Sequence, residues 1–208
     1  MKGQPLVKIS DFKIVALYGS PRRGGNTDEL LNSFLSGVGD NDKLGKDPKI
    51  NMIIDRIMVS ETGISPCREC RHCSTDGQCI VNDGMQKIYQ KIIDCDLLIV
   101  GSPIFFTSVS GQLKSFIDRF QRFWALKYEL GNKLDVKPGR KGILFSCAGS
   151  KPQSIFDCTK KIIRAFFDVI YIEYYADFLY NNIDFKGDVQ KSPGLLQEVY
   201  NFAKNNSF

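Results

Sequence analysis

Four cysteines, Cys67, Cys70, Cys73 and Cys79, are separated by two, two and then five residues. Thiolates at two-residue intervals with a fourth close behind can wrap a [4Fe-4S] cubane, although the ferredoxin spacing to the last cysteine and its following proline are not reproduced. Four cysteines can also enclose zinc tetrahedrally, or stay as thiols or a disulfide, and the spacing leaves these readings open. A second stretch, Gly19-Ser20-Pro21-Arg22-Arg23-Gly24-Gly25-Asn26-Thr27, follows an apolar run and precedes a helical pattern. Strand, glycine-punctuated turn and helix N-terminus in that order gather backbone N–H groups and a positive dipole end at one point, which suits a phosphate. Ser20, Asn26 and Thr27 add neutral donors, and Arg22 or Arg23 adds charge. The stretch has neither GxGxxG nor GxxxxGK followed by Ser or Thr, so a different mononucleotide is required.

These residues need elements to hold them. Lys13 to Tyr18 reads as a strand buried on both faces, as central parallel strands are, and Leu30, Leu31, Phe34 and Leu35 give the following helix its apolar stripe. Ile50 to Ser60 predicts a second strand, interrupted by Asp55 and Arg56. Gly63 to Val81 shows neither period and holds the four cysteines, so it predicts a long functional loop. A helix with Met85, Ile88, Tyr89, Ile92 and Ile93 on one face then feeds a buried strand at Leu97 to Val100. The loop Gly101 to Thr107, with Phe105 and Phe106, opens a long amphipathic helix predicted from Ser110 to about Trp124. Ile143 to Cys147 is a fourth strand, Ala148 to Gln153 a third loop, and a helix, a strand within Val169 to Tyr180 and a helix over Leu195 to Ala203 complete the chain.

Strands alternating with helices predict an α/β fold: a flavodoxin-like, doubly wound, five-stranded parallel sheet of order 2-1-3-4-5, with ligand beyond the carboxyl ends of the strands at the switch point. That point lies between the Gly19 to Thr27 loop and the Pro103 to Thr107 loop. Phosphate donors on one side and rings with backbone amides on the other fit a phosphorylated flat heterocycle, and FMN is the economical choice.

The 208 residues, 43% of them hydrophobic, are enough for one domain with a substantial core. With 28 Lys and Arg against 23 Asp and Glu the net charge is +5, scattered, which gives no case for nucleic acid and favours anionic small molecules. No apolar stretch approaches the roughly 20 residues of a membrane span, and Met1 to Pro5 leads into no signal-peptide core. The expectation is a cytoplasmic protein without membrane contact, in which seven cysteines serve as thiols or ligands rather than as a disulfide framework. Cys95, Cys147 and Cys158 are expected to be buried thiols, and His72 to face solvent. Phe116 and Phe120 are expected in the core, and Asp118 and Arg119 to form an exposed helix pair of structural value only.

At these residues the chain resembles the NAD(P)H-dependent FMN reductase family, in particular its iron-sulfur flavoprotein branch. The resemblance runs over the whole domain and rests on Gly19 to Thr27, on Pro66 to Cys79, and on Ser102-Pro103-Ile104 through Ser110-Gly111-Gln112-Leu113-Lys114 to Asp118-Arg119. It implies an FMN phosphate held by Ser20, Arg22, Asn26 and Thr27, an isoalloxazine against Pro103, Ile104, Phe105 and Phe106 with Gly149 from the third loop, and a cluster on Cys67, Cys70, Cys73 and Cys79. Phe105 stands where many relatives have tyrosine, so a hydroxyl contact is absent there. The activity implied is NAD(P)H-dependent reduction of a small acceptor or of the iron-sulfur cluster. A flavodoxin-like electron carrier without turnover is the alternative, and the +5 charge counts against it because such carriers are often acidic. Aromatic residues at Phe120, Phe123, Trp124, Tyr171, Tyr174, Tyr175 and Phe178 exceed what one small sheet obviously needs, and with the resemblance they predict a homodimer or homotetramer.

Overall fold

The structure, a computed structural model, describes residues 9–208, so Met1 to Pro5 lies outside the described residues. Five strands, β1 (Ser10–Tyr18), β2 (Ile50–Met58), β3 (Leu97–Pro103), β4 (Lys141–Cys147) and β5 (Glu173–Tyr180), form one sheet of order β2-β1-β3-β4-β5. Every pairing is parallel. The fold class expected from the alternation of strand and helix patterns is therefore the one observed.

Side-chain alternation along the strands divides the core into two layers. Ile14, Ala16, Ile99 and Phe145 face α1 (Asn26–Gly39) and the last helix, Pro193–Asn205, through Leu30, Phe34 and Val199. Val15, Leu17, Leu98, Val100 and Leu144 face the opposite layer, built from Ile88, Phe116 and Phe166. β3 is buried along nearly its whole length, as a central strand with helices on both faces must be. β2 is an edge strand in which Ile57 is the one buried residue, which is why Asp55 is tolerated; it pairs with Lys91.

Between β2 and β3 come a one-turn helix α2 (Cys73–Asp76) inside the cysteine loop and α3 (Met85–Asp94). The long helix expected after β3 is instead two, α4 (Gly111–Asp118) and α5 (Gln121–Trp124), continued by a π-turn over Ala125–Glu129. The break falls where Arg119 turns inward, and the Tyr89 hydroxyl donates to the carbonyl of Arg119 at 2.9 Å. α6 (Asp157–Val169) and α7 (Pro193–Asn205) follow β4 and β5.

Most of the aromatic excess is internal. Phe120, Phe123 and Phe178 are buried, and Phe120 packs edge-on against Tyr89 and Phe166. Of that set only Trp124 is well exposed, with Tyr128 beside it, so the aromatic case for an oligomer shrinks to that pair. Cys95 and Cys147 are buried as expected, and burial pushes their thiols up to about 11 and about 12. Cys158 is exposed, because the apolar face of α6 is formed by Ile163, Phe166 and Phe167 and Cys158 lies off it.

Arg140, 2% exposed, carries a buried charge with no ion-pair partner among the described residues. It donates to the carbonyls of Cys95 (2.8 Å), Ile170 (2.6 Å) and Ile92, joining α3, β4 and the end of α6. R140M is expected to lower stability by about 3 kcal/mol, because three buried acceptors lose a charged donor. Urea unfolding checks this, and an unchanged midpoint at an unchanged slope would contradict it.

Candidate functional site

The carboxyl ends of β1, β3 and β4 and the segment after β5 surround one cavity. Gly19 is required where β1 ends, since a Cβ there would stand 2.7 Å from the Gly101 carbonyl. The Ser20 hydroxyl accepts from the Arg22 N–H (3.1 Å) and fixes the turn. Gly24 takes a positive φ of 60°, and Gly25 caps α1 in extended geometry with no side chain bonded to the helix end. The first N–H groups of α1 are thus left for a ligand. Arg23 is tied to Glu61, whereas Arg22 has no ion-pair partner among the described residues and lines the cavity. Of the two arginines, Arg22 is the one available to an anion. Asp28 is buried; desolvation raises its pKa, although its carboxylate accepts from the Gly24 N–H at 3.0 Å.

The β3 loop is held by hydroxyls, of Ser102, Ser110 and Ser146, to which the sequence assigned no individual role. Ser110 caps α4 by accepting from the Leu113 N–H (3.2 Å), and its own hydroxyl donates to the Gly19 carbonyl. Ser102 accepts from the Ser110 N–H (3.0 Å), and Ser146 donates to the Ser102 carbonyl (2.7 Å). Three of the cavity's loops are therefore locked together through buried polar contacts. Beyond them Phe105 and Ser108 exchange N–H to carbonyl bonds of 2.9 and 3.0 Å across Phe106 and Thr107, both at positive φ, 49° and 64°. Non-glycine residues take that shape at a cost of order 1–3 kcal/mol each. Pro103, Ile104 and Phe105 line the cavity; Phe106 does not, and stands fully exposed at the tip.

Gly149 lines the cavity, and its small size is required, because a Cβ would approach the Asp184 side chain to 2.7 Å. The segment after β5 was not foreseen as part of the site. Ile183, Asp184 and Lys186 line the cavity, and Lys186 donates to the Arg23 carbonyl at 2.8 Å. Asn26 reaches this segment: its amide donates to the Phe185 carbonyl (2.9 Å) and accepts from the N–H groups of Gly187 (3.1 Å) and Val189 (3.3 Å). Its side chain is thus committed to positioning Lys186. The only advance signal was a polar, glycine-containing run after a strand's carboxyl end.

The enclosed volume is about 60 Å³, room for an anionic head group but not for a mononucleotide. Phe105 and Phe106 are exposed beyond it. Donors, cation and apolar lip in that order fit FMN.

A separate cavity of about 150 Å³ is lined by Cys67, Cys70, Cys73 and Cys79 together with Arg119 and Arg122, and shares no lining residue with the first. Among the described residues, no three His, Cys, Asp or Glu side chains close on a single ion. Glu69 and Arg71 hold positive φ, 49° and 57°, a backbone conformation found in the anion-binding concavities of many phosphate and iron-sulfur sites. His72 is half-exposed and 3.9 Å from Asp76, away from any ligand role.

Arg119 overturns its expected place. It is 1% exposed, and its guanidinium donates to Asp83 (2.6 Å), the Ser65 carbonyl (2.8 Å), the Val81 carbonyl (3.1 Å) and the Cys79 sulfur (3.5 Å). Both ends of the cysteine loop are stapled to α4 through it. Burial opposes the charge on each partner, yet Asp83 is held below the usual carboxylate range by Arg119 and the N–H groups of Ser65 and Met85, and Arg119 above its usual value. A lowered folded pKa means stability that is present above the unfolded value of about 3.9 and lost as pH falls through the folded one. Trp124, the single tryptophan, lines the same cavity, so its fluorescence is expected to report loop release below about pH 4 in the parent. In D83N that acid transition should be absent; its persistence unchanged would remove Asp83 as the cause.

The NADPH-dependent FMN reductase family matches residues 12–155. The chain is 29% identical over 135 residues to an iron-sulfur flavoprotein of Methanosarcina thermophila, covering 63% of this chain and 66% of that one. It is 30% identical over 134 residues to an iron-sulfur flavoprotein of Methanocaldococcus jannaschii, covering 63% and 65%. The matched region thus spans just under two thirds of these relatives' length. Among solved structures, an NAD(P)H:quinone oxidoreductase from Methanothermobacter marburgensis superposes with a TM-score of 0.64 at 14% identity, covering 95% of this chain and 96% of that one. An FMN-dependent NADH-azoreductase from Bacillus anthracis, in complex with FMN, superposes with a TM-score of 0.63 at 13% identity, covering 93% and 98%. At such identities the structural likeness establishes the fold.

Proposed function

Since the chain belongs to the NADPH-dependent FMN reductase family, we propose that it is an FMN-dependent oxidoreductase that takes electrons from NAD(P)H and passes them to a small acceptor or to an iron-sulfur cluster. The observation that carries this reading is the single cavity in which an open helix N-terminus, Arg22 and the β3 loop face one another. Bound FMN would supply the hydride-accepting centre. Arg22, Lys186 and the first N–H groups of α1 would hold its phosphate, with Ser20 and Thr27 beside them. Pro103, Ile104 and Phe105 would carry the ring, Gly149 would let it approach β4, and Phe106 would reach it only from the exposed tip. No protein acid or base is needed for hydride arrival, and none is assigned.

Cys67, Cys70, Cys73 and Cys79 would hold a [4Fe-4S] cluster, which supplies one-electron transfer. The names of the relatives and the breadth of the thiol-lined cavity support this part. Cluster thiolates require a reducing compartment, so the cytoplasm belongs to the same proposal; no described helix is long and apolar enough to cross a membrane. A homodimer or homotetramer is proposed on the exposed Trp124 and Tyr128, and a monomeric mass at micromolar concentration would remove it.

Rapid anaerobic mixing of the FMN-loaded protein with NADH and with NADPH tests the enzyme reading. Bleaching of flavin absorbance by either nucleotide, saturating with its concentration, is expected. Failure of both to bleach it, with chemical reduction intact, would favour the electron-carrier reading.

A further inference from the structure

We propose that Arg119 sets the reduction potential of the group held by the cysteine loop, acting through Cys79; this rests on the cluster reading above. Cys79 is the one loop cysteine that accepts a hydrogen bond from a buried cation, Arg119 at 3.5 Å. The guanidinium cannot drift away, since its other nitrogen is fixed on Asp83 and the Ser65 carbonyl. Its Nε is buried with no protein partner, while the residue lines the cavity. A buried donor left unpaired is costly, and it belongs to a residue that lines the space that the four cysteines line. Arg122 lines the same space, but its Nε is taken by the Gly77 carbonyl at 2.9 Å and its plane lies over Tyr89 and Phe123 at 4.8 Å from each ring centre.

Hydrogen bonds to cluster sulfurs and local charge are among the levers on cluster potential. An N–H donated to a thiolate, with a fixed positive charge behind it, favours the form carrying the extra electron, and weak screening in a buried site enlarges the effect. Asp83 offsets part of that charge but lies on the far nitrogen. Arg119 is therefore a positioning residue: it shapes the loop and biases where and how readily the group accepts an electron.

The test is a potentiometric titration, followed by electron paramagnetic resonance, of anaerobically iron- and sulfide-reconstituted wild type, R119M, R119K and the exposed control K114M. R119M is expected to disfavour reduction about tenfold, a fall of about 59 mV for a one-electron couple. R119K, which keeps a cation but cannot span both carbonyls and the sulfur, should fall less, and it decides the matter if R119M does not fold. K114M should match wild type. Variant clusters with the wild-type potential, even at reduced occupancy, would overturn the proposal and reduce Arg119 to a loop staple while leaving the cluster standing. Wild type that incorporates no cluster would overturn both.

Discussion

Replacing Arg22 and Lys186 together by alanine is expected to weaken FMN binding about a hundredfold or more, while riboflavin binds almost as it does to the parent. Charge-assisted hydrogen bonds contribute about 1.5–3 kcal/mol each, and each 1.4 kcal/mol is about tenfold in affinity, so two lost contacts reach that range. Both side chains line the cavity whose floor is the open end of α1. Neither holds a core element, since Arg22 is exposed and Lys186 reaches only the Arg23 carbonyl, so the fold should survive. Riboflavin keeps the ring contacts and lacks the phosphate, which makes it the internal control. Isothermal titration of both ligands checks the result, and an equal loss for the two would mean that the residues support the ring. N26A is a useful contrast: its effect should be smaller and indirect, through release of the Phe185 to Val189 segment that carries Lys186.

Cys79→Ala is expected to abolish cluster incorporation while leaving FMN affinity within about twofold of the parent, as for sites that share no partners. The two cavities have no lining residue in common, and the cysteine loop leaves the sheet after β2 and meets the core near its ends, through Ile64 and Cys79, in the layer built from Ile88, Phe116 and Phe166. Cys79 is also the sulfur joined to Arg119, so its removal takes away a proposed ligand and one of the loop's several contacts with Arg119 at once. Iron and sulfide per chain after anaerobic reconstitution, with flavin content measured on the same sample, give the answer. Coincident loss of FMN would mean that the loop supports the flavin site as well. Retention of a full cluster would assign the fourth ligand elsewhere.

The sheet was legible because its signals are local. Apolar runs such as Leu97 to Val100 and the 3.6-residue spacing of Ile88, Tyr89 and Ile92 declare their elements without reference to distant partners, and order 2-1-3-4-5 is the flavodoxin-like one of the doubly wound orders that right-handed crossovers allow. The Gly19 to Thr27 turn was legible for the same reason, as strand, turn and helix start are contiguous. Arg119 was not, because the break between α4 and α5 is set by Asp83 and the loop carbonyls, which lie 36 or more residues earlier. Asn26 was read as a phosphate donor because its amide chemistry suits one; its actual partners are about 160 residues away. Phe106 was placed against the ring by analogy, yet the left-handed turn it shares with Thr107 is one that such side chains avoid, so nothing in their identity announced it. Cys158 shows the limit of residue type as a guide to burial: its place on the helix face decides.

The account stands most directly on which flavin the protein holds. Protein purified anaerobically and reconstituted with a mixture of FMN and FAD should, on acid release and chromatography, yield close to one FMN per chain and little FAD. A strong preference for FAD, or no retained flavin, would contradict the assignment of the cavity at the carboxyl ends of β1, β3 and β4.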